Sequence, residues 1–426
     1  MGHSLSAAMH NPATELEHAP SMRHAGRELL SLALIEARNR SLQLFGTFED
    51  AGRIDTLGSH GESPRRWLGR LGWFQEAWIA RNVQRTRGHE SDPAAIRLAS
   101  LEPMADRWYD PRLQASQPGT RWTLPDPETI RLYLLDTLEV TLELLQHSAE
   151  TDAGLYFYRL ALFHEDAQAE ALLGLAQRLG VAVTAPALPP LGRGRHAPIE
   201  IASTRWDLGA DPEQDARRGA LAVLARQGYR FDLETGHDGV RLHDYQIDAQ
   251  PVSWQQYLNF MADGGYDNPD WWSPAGWHWV QRRHVQTPRQ TERLNGVLMQ
   301  SCYGRLQTID PARPVQRLTA YEAEAWCAWA GRRLPTEAEW ECAAETQTEA
   351  GFRWGEVWEW TAERLRLYPG YRPGPLHGHL TGTLGLHRVL RGGSHATVAR
   401  LKHPKFRHHL APYEESGFCG LRSCAI

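Results

Sequence analysis

One short stretch, FHEDAQAEAL at Phe163–Leu172, carries residue types that could do chemistry. His164, Gln168 and Glu170 stand at i, i+4 and i+6 of a segment with helical patterning. Side chains four apart share a helix face, so two histidines at that spacing can grip one metal ion. Here the second position is an amide, a weak neutral oxygen donor. The stretch therefore reads as a metal site with a substituted ligand, the remnant of one, or an ordinary helix carrying a histidine.

Other candidates lie near the C-terminus. FRHHLAPYE (Phe406–Glu414) sets His408 and His409 side by side in a loop. Cys419 and Cys424 have a C-x4-C spacing, which tempts a metal reading but fits core packing better. The other cysteines are Cys302, Cys327 and Cys342, an odd total that does not look like a disulfide framework.

Four helical segments must position the first motif. They are Arg27–Gly46, Trp67–Gln84 after the start signal Ser63-Pro64, Pro127–Gln146, and Ala153–Gly180. Four long amphipathic helices predict a bundle. Pro186–Pro198 is a Pro/Gly-rich connector, after which the texture changes to short strands (Pro198–Ser203, Val240–Asp248) and a helix at Thr319–Gly331 with a capping box. The expected class is α+β: a leader at 1–22, a bundle over 23–185, a linker at 186–200, and a loop-rich domain over 201–426.

The chain has 426 residues, enough for at least two cores, and a net charge of −5 that gives no reason to expect nucleic acid. No run approaches eighteen apolar residues, and the first residues lack a signal-peptide core, so no membrane association and a cytoplasmic location are expected. Seventeen tryptophans, clustered at 254–279 and 326–360, suit a compact domain with much irregular backbone.

Six phrases then occur in order: IDAQPVSWQQYLNFMADGGY (Ile247–Tyr266), GWHWV (Gly276–Val280), YEAEAWCAWAGRRLPTEAEWE (Tyr321–Glu341), FRWGEVWEWT (Phe352–Thr361), VLRGGSHAT (Val389–Thr397) and GFCGLRSCA (Gly417–Ala425). Together they resemble the formylglycine-generating-enzyme, or sulfatase-modifying-factor, domain, with its C-type-lectin-like fold. The N-terminal half resembles a DinB-like bundle through SPRRWLGRLGWFQEAWIARN (Ser63–Asn82), ADRWYDP (Ala105–Pro111) and FHEDAQAEAL. That pairing resembles the ergothioneine, ovothiol and selenoneine synthases, and the phrases WFQEAW, FHED and FRWGEVWEWT lean towards the selenoneine-type branch.

The resemblance implies non-heme Fe(II) and dioxygen joining a sulfur or selenium donor to the imidazole of hercynine, the histidine betaine. It implies three histidine ligands, one on the second helix and two from an HxxxHxE motif on the fourth, with the acidic residue orienting an imidazole. His164 keeps one of these positions and Glu170 the acidic one, while Arg70 and Gln168 replace the other two histidines. Arginine cannot be deprotonated to ligate a metal, so Fe(II) affinity is expected to fall severely.

The family's betaine-contacting Asn-Trp pair becomes His408 and His409. The Asp and Arg that hold glutamylcysteine become Leu410 and Glu414. Arg407, His408, His409 and Glu414 are therefore the expected substrate contacts, and a donor other than glutamylcysteine, such as a selenosugar, fits better. The absence of cysteine from His395–Lys405 argues against a sulfatase-activating role. A family tyrosine would be Tyr368, Tyr371 or Tyr413, and His60 or His89 could rebuild the metal site. Arg407 and Arg422 read as ion-pair formers as readily as substrate contacts. Two readings stay open: a selenoneine/ergothioneine-synthase-type enzyme, or a metal-free paralogue that binds a small molecule or partners an active relative. A monomer is expected.

Overall fold

The computed structural model describes residues 12–58, 62–116, 122–184, 186–190, 197–210, 228–371, 373–374, 380 and 382–426. Helices α1 (Pro12–Glu17) and α2 (Ala19–Arg23) open the described chain. The bundle proper is α3 (Arg27–Asp50), α4 (Pro64–Trp78), α7 (Pro127–Gln146) and α8 (Asp152–Leu179), with short α5 (Ala105–Tyr109) and α6 (Pro111–Ser116) between. Ser63 caps α4 by accepting from the Arg66 N–H at 3.4 Å, and Pro64 sits in the first turn, where its missing N–H costs nothing. Thr151 caps α8, which stops at Gly180 in the left-handed conformation (φ 67°).

The second half holds strands β1 (Ile199–Ile201), β2 (Thr204–Ala210), β3 (Gly236–Leu242) and β4 (Tyr245–Ile247), then α9 (Trp254–Ala262) and α10 (Pro274–Arg283). A three-stranded meander follows, β5 (Thr291–Leu294), β6 (Val297–Cys302) and β7 (Arg305–Thr308). Then come α11 (Ala320–Trp329), β8 (Arg332–Arg333), α12 (Glu337–Thr346), β9 (Trp358–Arg364), β10 (Arg388–Arg391), β11 (His408–Leu410), β12 (Cys419–Leu421) and β13 (Cys424–Ala425). The sheet that carries the loop candidates has the order β11-β10-β9-β12. Within it, His408 lies opposite Leu390, and Cys419 opposite Trp358 in a parallel pair.

The α+β class is as expected, and three boundaries differ. The second helix stops at Trp78 rather than Gln84, and the chain then turns to a 3-10 segment at Arg85–Glu90. The linker ends before residue 200, because β1 is already paired with β4. The expected leader is partly wrong. Residues 12–23 are helical, Met22 is fully buried, and Arg23 makes a two-pronged ion pair with Glu234 at 2.7 Å. An apolar anchor and a guanidinium fork hold this segment against the second half; residues 1–11 lie outside the described residues.

One continuous apolar core runs from the bundle, through Phe45, Leu68, Phe157 and Leu172, into the second half at Tyr257, Trp326 and Trp360. A satellite core surrounds Trp340. Among the described residues, no helix is long and apolar enough to cross a membrane.

Candidate functional site

Trp67, Arg70 and Phe74 are spaced by three and four residues along one face of α4, and Trp67 and Phe74 meet Gln168 and His164 of α8. The Trp67 indole N–H donates to Gln168 Oε1 at 3.0 Å. The imidazole of His164 stacks on Phe74, with centroids 3.6 Å apart and planes within 9°. Arg70 forms an ion pair with Glu62, just ahead of α4.

Those contacts do not fit a three-imidazole iron site. The amide oxygen of Gln168 already accepts an indole N–H, and a fixed cation occupies the family's other ligand position. The protonated Arg70 guanidinium, held by Glu62, has no lone pair to offer a ferrous ion. Among the described residues no group of three or more His, Cys, Asp or Glu side chains is arranged to hold a metal ion. His89 packs edge-on against Tyr156, and His60 lies outside the described residues.

Glu170 corrects an expectation. It is buried and orients no imidazole: its carboxylate accepts from Trp358 Nε1 (2.7 Å), Ser394 Oγ (2.6 Å) and Thr397 Oγ1 (2.7 Å). Burial raises its pKa, against the pull of these three donors. The acid of the helical motif thus pins α8 to β9 and to the turn after β10.

Its neighbours act alike. Asp166 takes a two-pronged bond from Arg400 (2.7 and 2.8 Å) and another from Arg40 (2.7 Å), while Glu165 holds Arg38 at 3.0 Å. Sequence reasoning passed over both acids. Two adjacent carboxylates in an otherwise apolar helix were the available signal, since buried acids require partners.

The link continues into the C-terminal loop. The Trp358 ring packs against Phe406 (centroids 5.7 Å) and His408 (5.0 Å). His408 has its pKa lowered to about 4 and His409 to about 3, mainly because burial disfavours the imidazolium. Both rings are therefore neutral near pH 7, able to donate through one nitrogen and accept through the other. His409 meets a residue that sequence reasoning did not single out: its Nδ1 lies 3.0 Å from Nδ1 of His387.

Arg407 forms the ion pair that was one of its two expected roles. Its guanidinium forks onto Glu337 (2.9 and 2.9 Å), donates to the Leu233 carbonyl (3.1 Å) and lies over the Tyr368 ring at 4.1 Å. It is 3% exposed and braces the domain. Arg422 does the same, with two bonds to Glu359 at 2.7 and 2.9 Å.

Glu414 closes a local turn by accepting from the Ala411 N–H at 3.2 Å. Tyr368 is buried and bonded to Arg391 at 2.9 Å, Tyr413 is half exposed, and burial raises the pKa of Tyr371. Cys419 and Cys424 are free, buried thiols in different sheets, each pushed up to about 12 by burial.

Residues 216–356 match the family described as Sulfatase-modifying factor enzyme 1-like domain. The chain is 30% identical to a hercynine oxygenase of Mycolicibacterium smegmatis, covering 93% of this chain and 98% of that protein. It is also 30% identical to a hercynine oxygenase of Mycolicibacterium thermoresistibile, over 93% of this chain and 94% of that one. A formylglycine-generating enzyme of Thermomonospora curvata is 35% identical over 39% of this chain and 63% of its own length. Near-complete coverage of both halves by the first two, together with six ordered motifs, shows that the chain belongs to the hercynine oxygenase family, the ergothioneine-synthase group.

Proposed function

We propose that the protein acts on hercynine, or a closely similar imidazole betaine, at the junction of α8 with the β11-β10-β9-β12 sheet. The observation that carries this reading is the chain of contacts from Glu170 through Trp358 to His408. It holds the His408 imidazole, which the resemblance aligns with a betaine-contacting position, and so supports this reading. The near-full-length similarity to two hercynine oxygenases supports the same substrate class. In the finer form of the proposal, dioxygen-dependent chemistry joins selenium or sulfur to the imidazole ring. Leu410 and Glu414 stand where the resemblance expects the Asp and Arg that hold glutamylcysteine, so one charge is lost and one reversed, which favours an uncharged donor such as a selenosugar. Calorimetric titration with hercynine tests the binding step: saturable binding, weakened about tenfold (~1.4 kcal/mol) in His408→Ala, is expected. No heat of binding in the wild type would sink the proposal.

A second reading is favoured by the α4–α8 face. With Arg70 on Glu62 and Gln168 on Trp67, the protein would bind the betaine without iron and without turnover. Anaerobic loading with ferrous iron followed by oxygen-uptake measurements separates the two. Uptake that requires both hercynine and a chalcogen donor excludes the metal-free reading. Iron content no higher than in His164→Ala, with hercynine still bound, excludes the oxygenase at that face.

A further inference from the structure

His387 and His409 reach each other from neighbouring backbones that are fixed independently. His387 immediately precedes β10; its N–H donates to the Thr383 carbonyl at 2.9 Å and its carbonyl accepts from Leu365 N at 2.8 Å. His409 sits on β11 opposite Val389. Their Nδ1 atoms lie 3.0 Å apart, with ring centroids at 5.1 Å and planes inclined by 55°. The rings therefore meet by their nitrogen edges and not by their faces.

Two arrangements satisfy that edge contact. A direct hydrogen bond obliges one ring to carry its proton on Nδ1. An ion held by both Nδ1 lone pairs lets both rings keep the Nε2–H tautomer that isolated imidazole side chains favour in water. We propose that His387 and His409 form an open two-histidine site for a borderline divalent transition ion such as zinc or copper(II), bound through Nδ1 of each.

The geometry suits it. Imidazole nitrogens bind such ions at roughly 2.0–2.1 Å, and two ligands subtending about a right angle then lie about 3 Å apart. Two neighbouring cations have carboxylate partners, Arg407 with Glu337 and Arg388 with Glu324, and Arg364 is turned to the Gly385 carbonyl. Both residues are half-buried, so the remaining positions would be filled by water or by a nitrogen, oxygen or sulfur atom of a small ligand. His408, with its ring 6.3 Å from that of His409 and packed on Trp358, is a neighbour and not a ligand. This inference does not depend on the hercynine reading, and its residues lie on different elements from His164.

Copper(II) electron paramagnetic resonance and zinc calorimetry on the full chain test it. One equivalent of ion with nitrogen hyperfine splitting is expected. Affinity should fall at least tenfold in His387→Phe and in His409→Phe, and stay unchanged in His164→Ala. In the wild type, substoichiometric copper(II) should broaden the imidazole NMR signals of His387 and His409 before those of other histidines, a readout that needs no variant to fold. Absence of a stoichiometric ion, or binding that His164→Ala abolishes and His387→Phe spares, overturns the proposal.

Discussion

Trp358 and Glu170 are 188 residues apart in sequence, and the indole N–H of the first meets the carboxylate of the second at 2.7 Å. The bond joins the longest helix of the bundle to the sheet that carries His408. It makes the placement of the C-terminal loop depend on a residue of the helical motif.

Glu170→Gln should destabilise the protein by about 2–3 kcal/mol, because the amide turns an N–H towards donors where a carboxylate accepted three of them. Trp358→Phe, which removes one donor and keeps the ring, should cost about 1–2 kcal/mol. Urea denaturation measures both. Losses below half a kilocalorie in each (~0.5 kcal/mol) would mean that the two halves are joined elsewhere.

The double variant Arg70→His/Gln168→His should create, with His164, the three-imidazole set that the helix face lacks. It should bind cobalt(II) with ligand-field absorption bands that depend on His164, whereas either single variant binds at least tenfold more weakly. Cobalt(II) titration of these four proteins and of the double variant carrying His164→Ala settles this, and a double variant without His164-dependent bands refutes the facing of α4 and α8 described above.

Arg400→Met should be among the most damaging single changes, about 3–5 kcal/mol, since it strands the fully buried Asp166 with only Arg40. Adding Asp166→Ala should recover part of that loss, because the stranded charge disappears. A double-mutant cycle reads the coupling, and strict additivity would contradict it.

Glu322 accepts from Thr319 N–H and Oγ1 (both 2.8 Å) and from the Tyr266 hydroxyl (2.7 Å), and burial raises its pKa to about 7. The folded protein thus holds this proton more tightly than the unfolded chain does. Its contribution to stability is full below the ordinary glutamate value of 4.5 and is lost as pH rises through about 7. Glu322→Gln cannot titrate, so it should cost more stability near pH 5 than near pH 8 (both rough choices either side of the transition). Equal shifts in Tm at the two pH values would show that Glu322 does not titrate in this window.

The bundle was legible because its signals are local. Ser63-Pro64, Pro127 and the apolar spacing of Ala153–Gly180 each declare a helix without reference to the rest of the chain. The C-terminal domain was legible through ordered phrases, since its short strands have little periodicity of their own. What stayed hidden was pairing at long range. Nothing near Glu170 announces Ser394 or Thr397, and nothing near Arg407 announces Glu337. The leader was drawn up to residue 22 because nothing local marks Met22 as core, and the adjoining Arg23 finds its partner Glu234 about two hundred residues away. The His387–His409 contact has the same origin, a register between strands that no single segment encodes.

Glu170 also bears on how relatives of this chain are sorted. An acid at the end of the helical motif invites the conclusion that turnover survives, yet here it serves as a rivet between two halves. Selection for a stable scaffold is enough to preserve it after the neighbouring imidazoles have gone. A survey that accepted this glutamate as a mark of competence would therefore be scoring scaffold stability and not iron chemistry. The informative letters are the ones at positions 70 and 168.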